Sequence, residues 1–233
     1  MSTPGSRPGS RPRPVVVAID GPGASGKSTV ARALAKTLGY IYVDTGAMYR
    51  TLAWHCLQAG VDLRDPKAIA TACRRWRTRL HLDENGEPAE VALLVEGYRP
   101  RRELRTAAVG RAASDVAVVP AVRRWMRQVQ RESARFGDVV MEGRDIGTNV
   151  FPETDFKFWL DAAPEERARR RAAEGVGENI AYRDRQDSQR AAAPLMPGLG
   201  AVRVDTTDRP VPEVVSALTK AVWARIGVSR APA

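Results

Sequence analysis

The sequence predicts an α/β sandwich built around a parallel central sheet. Three observations carry that expectation. A Val-rich run at Val15–Ile19 feeds a glycine-rich turn and then a helix-like segment. Short apolar runs alternate with segments of helical spacing along most of the chain. One stretch, between Thr78 and Gly97, switches to a period of two.

Val15-Val16-Val17-Ala18-Ile19 shows no polar alternation, as expected of a strand buried on both faces. After the turn, Val30, Ala31, Leu34, Ala35 and Leu38 keep helical spacing, and Gly39 supplies a stop. Ile41-Tyr42-Val43 reads as a second strand, followed by a helix from about 47 to 59. Asp65-Pro66 opens another helix, with Asp as N-cap and Pro in the first turn. Between 78 and 97, Leu80 and Leu82, then Val91, Leu93 and Val95, alternate with other residues around a Glu84–Pro88 turn. That pattern predicts an antiparallel hairpin projecting from the main sheet as an insertion. Helices are expected over roughly 101–117 and 120–135, the second opened by Pro120. Val139–Met141, Phe156–Leu160 and Val202–Val204 read as strands. Segments 164–174, 180–192 and 211–226 read as helices.

The 233 residues, 43% of them apolar, suffice for one large domain carrying insertions. No apolar run approaches the ~20 residues of a membrane span, and a cytoplasmic protein is expected. Cys56 and Cys73 are too few for a disulfide framework, and His55 and His81 without clustered cysteines leave no zinc-type site. The net charge of +10 points to polyanionic partners: nucleic acid, anionic membrane or phosphorylated small molecules. Part of it lies in residues 1–13, a Pro/Gly/Ser/Arg tail expected to be disordered.

Gly21-Pro22-Gly23-Ala24-Ser25-Gly26-Lys27-Ser28 matches G-x-x-x-x-G-K-[ST] in full, and Thr29 continues it into the helix. Glycines let backbone N–H groups converge on phosphate oxygens, and the helix adds the positive end of its dipole. Lys27 is expected to reach the β- and γ-phosphates of ATP, and Ser28 to hold Mg²⁺. The N-K-x-D tetrad by which GTPases read guanine is absent. Val139-Val140-Met141-Glu142 only loosely resembles the apolar run ending in an acid of larger ATPases. A small-molecule kinase fits best.

Asp44-Thr45-Gly46-Ala47-Met48-Tyr49-Arg50 resembles the D-[ST]-G-A-x-Y-R segment of bacterial cytidylate kinases. Ser114 with Arg123 nine residues later resembles that family's S…R pair, and Gly143-Arg144-Asp145-Ile146-Gly147-Thr148 its G-R-D-x-G-T element. Arg183-Asp184-Arg185-Gln186-Asp187-Ser188-Gln189-Arg190 resembles its R-D-x-x-D-x-x-R element. The hairpin resembles the family's extended nucleotide-binding domain. The resemblance implies a P-loop NTPase three-layer sandwich. A core of 14–60 and 136–230 would carry a short lid at about 167–185 and a nucleoside-monophosphate-binding insertion at 61–135.

The residues support that chemistry on their own terms. A nucleoside monophosphate carries close to two negative charges and needs no general base, so catalysis reduces to positioning and neutralisation. Arginines clamp phosphate through planar forked donors, and Arg50, Arg144, Arg183 and Arg190 are candidates. Cytosine offers an N4 donor beside O2 and N3 acceptors. The resemblance gives these to Asp145, Arg123 and Ser114, sugar contacts to Arg183 and Asp187, and phosphate contacts to Arg50 and Thr45. Lys27, Arg144, Arg183 and Arg190 are the expected catalytic residues. Asp44 reads equally as a group near magnesium or as a helix cap. Arg167, Arg170 and Arg171 read as lid contacts to ATP or as a solvated helix face. CMP and dCMP are the implied acceptors, with neither nucleic acid nor membrane as a partner and a monomer as the working unit. Rivals are a small kinase for UMP, AMP or shikimate, and a basic nucleic-acid-binding P-loop protein. A shikimate kinase would be expected to carry a second acid where Gly46 stands.

Overall fold

A computed structural model describes residues 14–173 and 195–227. The expected tail at 1–13 and helix at 180–192 lie outside the described residues. So do Arg183, Asp187 and Arg190.

A seven-stranded sheet forms the middle layer. Its strands are β1 (Val16–Asp20), β2 (Ile41–Asp44), β3 (Thr78–Asp83), β4 (Glu90–Val95), β5 (Val139–Gly143), β6 (Phe156–Asp161) and β7 (Val202–Asp205). They lie in the order β3-β4-β2-β5-β1-β6-β7, and only the β3–β4 pair is antiparallel. The α/β expectation holds. β1 is buried along its whole length, which explains its unbroken apolar run.

Successive β1 side chains serve different layers. Val17 and Ile19 pack with Val30 and Leu34 of α1 (Lys27–Leu38) and with Val214 and Leu218 of the C-terminal helix, Val211–Ile226. Val16 and Ala18 face the other core, with Met48 and Leu52 of α2 (Thr45–Gln58), Ile69 of α3 (Pro66–Arg75), Val109 of α4 (Ala107–Ala117) and Met126 of α5 (Pro120–Glu132). Each fully buried aliphatic side chain contributes about 1.5–3 kcal/mol. A further helix, α6 (Pro164–Ala173), follows β6, and the C-terminal helix is α7.

Two expectations need correction. The hairpin is antiparallel as the alternation implied, but it does not project from the sheet. β4 pairs in parallel with β2, Tyr42 opposite Glu90 and Val43 opposite Val91, so the hairpin extends the sheet at one edge. Five consecutive β4 residues, Val91–Val95, are buried, a continuous apolar run more typical of an interior strand than of a projecting arm. The helix expected from 101 starts at Ala107. Thr106 caps it by accepting from the Val109 amide, and residues Arg102–Arg105 form a separate 3₁₀ turn.

Candidate active site

The strands that carry the site end side by side. Ile19 lies opposite Glu142, Asp20 opposite Gly143, and Asp44 opposite Glu142. The carboxyl ends of β1, β2 and β5 therefore open onto one crevice, where ligands bind in parallel α/β sheets. The crevice is a cleft of about 810 Å³, within the range of small-molecule sites.

The phosphate loop joins β1 to α1 as its spacing demands. Ala24 (φ 57°) and Gly26 (φ 79°) are left-handed, which curls the backbone. A β-carbon on Gly21 would lie 2.0 Å from the Leu160 carbonyl oxygen, so this position admits only glycine. Gly23, Ala24, Gly26, Lys27, Ser28 and Thr29 line the cleft, while Gly21, Pro22 and Ser25 pack behind them. Lys27 is buried and donates to the Pro22 carbonyl at 3.0 Å. The Ser25 hydroxyl oxygen is buried without a hydrogen-bond partner. The curled, glycine-rich backbone that lines the cleft fits a site whose amides converge on an anion.

Two arginines, expected on a lid or a solvated face, brace this loop. Arg167 donates to the Ala162 carbonyl and to the Gly23 carbonyl at 3.4 Å. Arg170 donates to Thr206 and Thr207 carbonyls, and Thr206 in turn donates to the Ser25 carbonyl at 2.9 Å. Arg171 lines the cleft.

On the acceptor side, the decisive feature is a buried ion pair. Arg123 of α5 lies 2.6 Å from Asp145 Oδ2, and only 7% and 8% of the two residues are exposed. Asn149 also donates to Asp145 Oδ2, at 2.9 Å. Arg123 further donates to the Ala117 carbonyl at the end of α4. The neighbouring Arg124 is exposed, so burial separates the two adjacent arginines that sequence alone could not. Ser114, three residues before Ala117 on α4, lines the same part of the cleft.

Arg144 donates to the Gly21 carbonyl at 2.9 Å, which carries the acceptor segment onto the donor loop. Arg50 pairs with Asp44 at 3.0 Å, and Asp44 also accepts from the Ala47 amide. Asp44 is thus a helix cap, one of its two expected roles, and a partner for Arg50. Thr45 is buried and lines the cleft, but it donates its hydroxyl proton to the Glu142 carbonyl at 2.7 Å. An added donation to phosphate competes with that bond.

Glu142 is the buried cleft residue that sequence reasoning underrated. It is buried at the end of β5, accepts from the Tyr42 hydroxyl at 2.8 Å and is hydrogen-bonded by Ser28. Burial, then the nearby Asp44 charge, push its carboxyl above the ordinary value, while Lys27 and the two hydroxyls oppose the rise. Burial likewise pushes the Tyr42 phenol up. The signal was the apolar run ending in an acid at Val139–Glu142. The cleft is also lined by Arg99, Arg101 and Arg105, which no motif had singled out. No cluster of three or more metal-ligating side chains occurs among the described residues. Cys56 and Cys73 are buried free thiols.

The profile of the cytidylate kinase family matches residues 17–224. The chain belongs to that family. A cytidylate kinase of Pelotomaculum thermopropionicum is 44% identical over 225 residues, covering 92% of this chain and 96% of its own. Those of Geobacillus thermodenitrificans and Rhodococcus opacus are each 43% identical, covering 99% and 98% of their own lengths. The family's span takes in both the phosphate loop and the Arg123–Asp145 pair. Among the described residues, no helix is long and apolar enough to cross a membrane.

Proposed function

We propose that this chain transfers the γ-phosphoryl group of ATP to CMP or dCMP, releasing ADP and CDP or dCDP. The observation that carries the reading is the buried Arg123–Asp145 pair on the wall of a cleft that also holds a complete phosphate loop. Family membership supports it, and so do the names of the relatives.

Both contacts of Arg123 and Asn149 fall on Asp145 Oδ2. Oδ1 is therefore the oxygen to accept from the cytosine N4 group, with Arg123 and Ser114 serving the acceptor edge. Uracil presents O4 at that place, an acceptor facing a carboxylate. A phosphate oxygen of the bound monophosphate attacks the γ-phosphorus, and the bond to the β,γ-bridging oxygen breaks to leave ADP. No proton must be removed for this step. Lys27 and the loop amides stabilise the charge of the transferring group, and Arg144 and Arg50 hold the acceptor phosphate. Ser28 and Glu142 fit a site for Mg²⁺, which takes few protein oxygens and several from phosphate and water; when bound, it neutralises phosphate charge. Arg183, Asp187 and Arg190 supply the remaining sugar and phosphate contacts, and 61–135 serves as the monophosphate-binding region. Part of the positive charge of the chain serves two small polyanions rather than nucleic acid, and the enzyme works as a monomer in the cytoplasm.

The test is ADP release against CMP, dCMP, UMP, AMP, GMP and shikimate at fixed MgATP. CMP and dCMP are expected to give the highest kcat/KM. A better rate with any of the others overturns the substrate assignment.

A further inference from the structure

We propose that Asp20 is a positioning residue that locks the acceptor segment 143–147 onto the donor loop, so that the two halves of the transfer site form one rigid unit. Asp20 is the last residue of β1, directly before Gly21, and only 3% of it is exposed. Its two carboxylate oxygens take two successive amides: Oδ1 accepts from Ile146 N at 2.8 Å and Oδ2 from Gly147 N at 2.7 Å. The next residue contributes a third link, since the Gly21 carbonyl accepts from Arg144 Nη1 at 2.9 Å. The last residue of β1 and the first of the loop thus grip both sides of Asp145, whose side chain is fixed by Arg123. The fit is close. A β-carbon on Gly147 would lie 3.4 Å from Asp20 Oδ2 and 3.2 Å from the Lys157 stem.

A carboxylate at this place is expensive. Burial pushes its pKa up to about 7, although the two amides and the Lys27 charge pull it down, and the Asp145 charge adds to the rise. Lys157, on β6, directs its ammonium to the Pro152 and Leu199 carbonyls rather than to Asp20. Packing alone would be served by an uncharged side chain of the same size. A costly charge kept at the junction of two half-sites is the pattern of strain held for function.

The inference rests on the CMP-kinase reading and is tested with it in one series. CMP and ATP are each varied against the saturating co-substrate for the wild type and for Asp20→Asn. Loss of a charged acceptor for two amides is expected to raise the CMP KM about tenfold, with the ATP KM changed by less than about threefold. The wild-type CMP KM is expected to be roughly twofold higher at pH 7 than at pH 8.5, where Asp20 is fully ionised and the second phosphate ionisation (pKa about 6) is nearly complete at both pH values. In Asp20→Asn that dependence disappears. Should Asp20→Asn fail to fold, Asp20→Glu, which keeps the charge but displaces it from the Ile146 and Gly147 amides, supplies the same comparison of the two KM values. A flat wild-type profile, an unchanged CMP KM in the variant, or equal rises in both KM values overturns the inference. ATP turnover on another acceptor but not on CMP instead removes the substrate reading, and the inference with it.

Discussion

The donor and acceptor halves of the cleft are built by different means. The donor half is one continuous segment, Gly21–Thr29, whose chemistry resides in its backbone and in Lys27. The acceptor half is assembled from α2, α4, α5 and the end of β5, and its key element is an ion pair between residues 22 apart in sequence. A loop of backbone amides loses activity when its one long cation is removed but keeps its shape. A pocket made of a buried pair loses both its shape and its ligand when either partner goes.

The largest expected effect lies in the donor half. Lys27→Ala is expected to lower kcat by about 10³-fold or more, while calorimetry finds CMP binding changed by less than about threefold. A comparable loss of CMP affinity would mean that the halves are not separable in this way. In the acceptor half, Arg123→Ala leaves a buried carboxylate without its partner. It is expected to cost about 3 kcal/mol of stability in urea unfolding and to raise the CMP KM on the order of 100-fold. Retained stability would show that the cleft is wet enough to solvate Asp145 alone.

The link between the halves has its own pH signature. The Asp20 carboxyl, raised in the fold from 3.8 to about 7, holds a proton between those values that the unfolded chain has released. The stability it contributes is present below about pH 4 and is lost as pH rises through 7. Wild-type stability relative to Asp20→Asn should therefore fall across that window, by up to ~4 kcal/mol. No change in the difference would place Asp20 in solvent contact. A smaller effect concerns the proposed Mg²⁺ site, which takes one residue from each half. Ser28→Ala and Glu142→Gln are each expected to raise the Mg²⁺ concentration for half-maximal rate about tenfold, and Mn²⁺ titration by spin resonance checks binding directly. The smallest contrast concerns two glycines. At Gly21 a β-carbon meets backbone, the Leu160 carbonyl oxygen, whereas at Gly143 it meets the Thr45 and Ile146 side chains, at 2.6 and 2.7 Å. Side chains yield and backbone does not, so Gly143→Ala should cost about 1–3 kcal/mol of overpacking, and Gly21→Ala should lower Tm by more than that.

The same contrast explains what could be read from the sequence. The backbone path of the phosphate loop was legible, because a local motif between a strand and a helix specifies it. The sheet was legible too, apart from the hairpin: alternation identifies an antiparallel pair, but it does not show that β4 also pairs with β2. On the acceptor side, motif spacing found Arg123, Asp145 and Ser114, yet their joining through a buried ion pair is a matter of tertiary packing. Glu142 was underrated because its apolar run is only three residues long; its role appears once β5 lies beside β1 and Ser28 reaches it. Arg167 and Arg170 sit at the spacing of a solvated helix face, and only the folded chain turns them onto the phosphate loop.

On the proposed function, the acceptor pocket reads cytosine through Asp145, while the donor loop is indifferent to the base. Its most direct test is the ratio of kcat/KM for CMP over UMP in the wild type and in Asp145→Asn, an amide of the same shape that can donate to uracil O4. The expected result is a wild-type preference for CMP of about 100-fold or more that collapses or inverts in the variant, with the ATP KM unchanged. A preference that survives the substitution would place base recognition elsewhere and contradict the account.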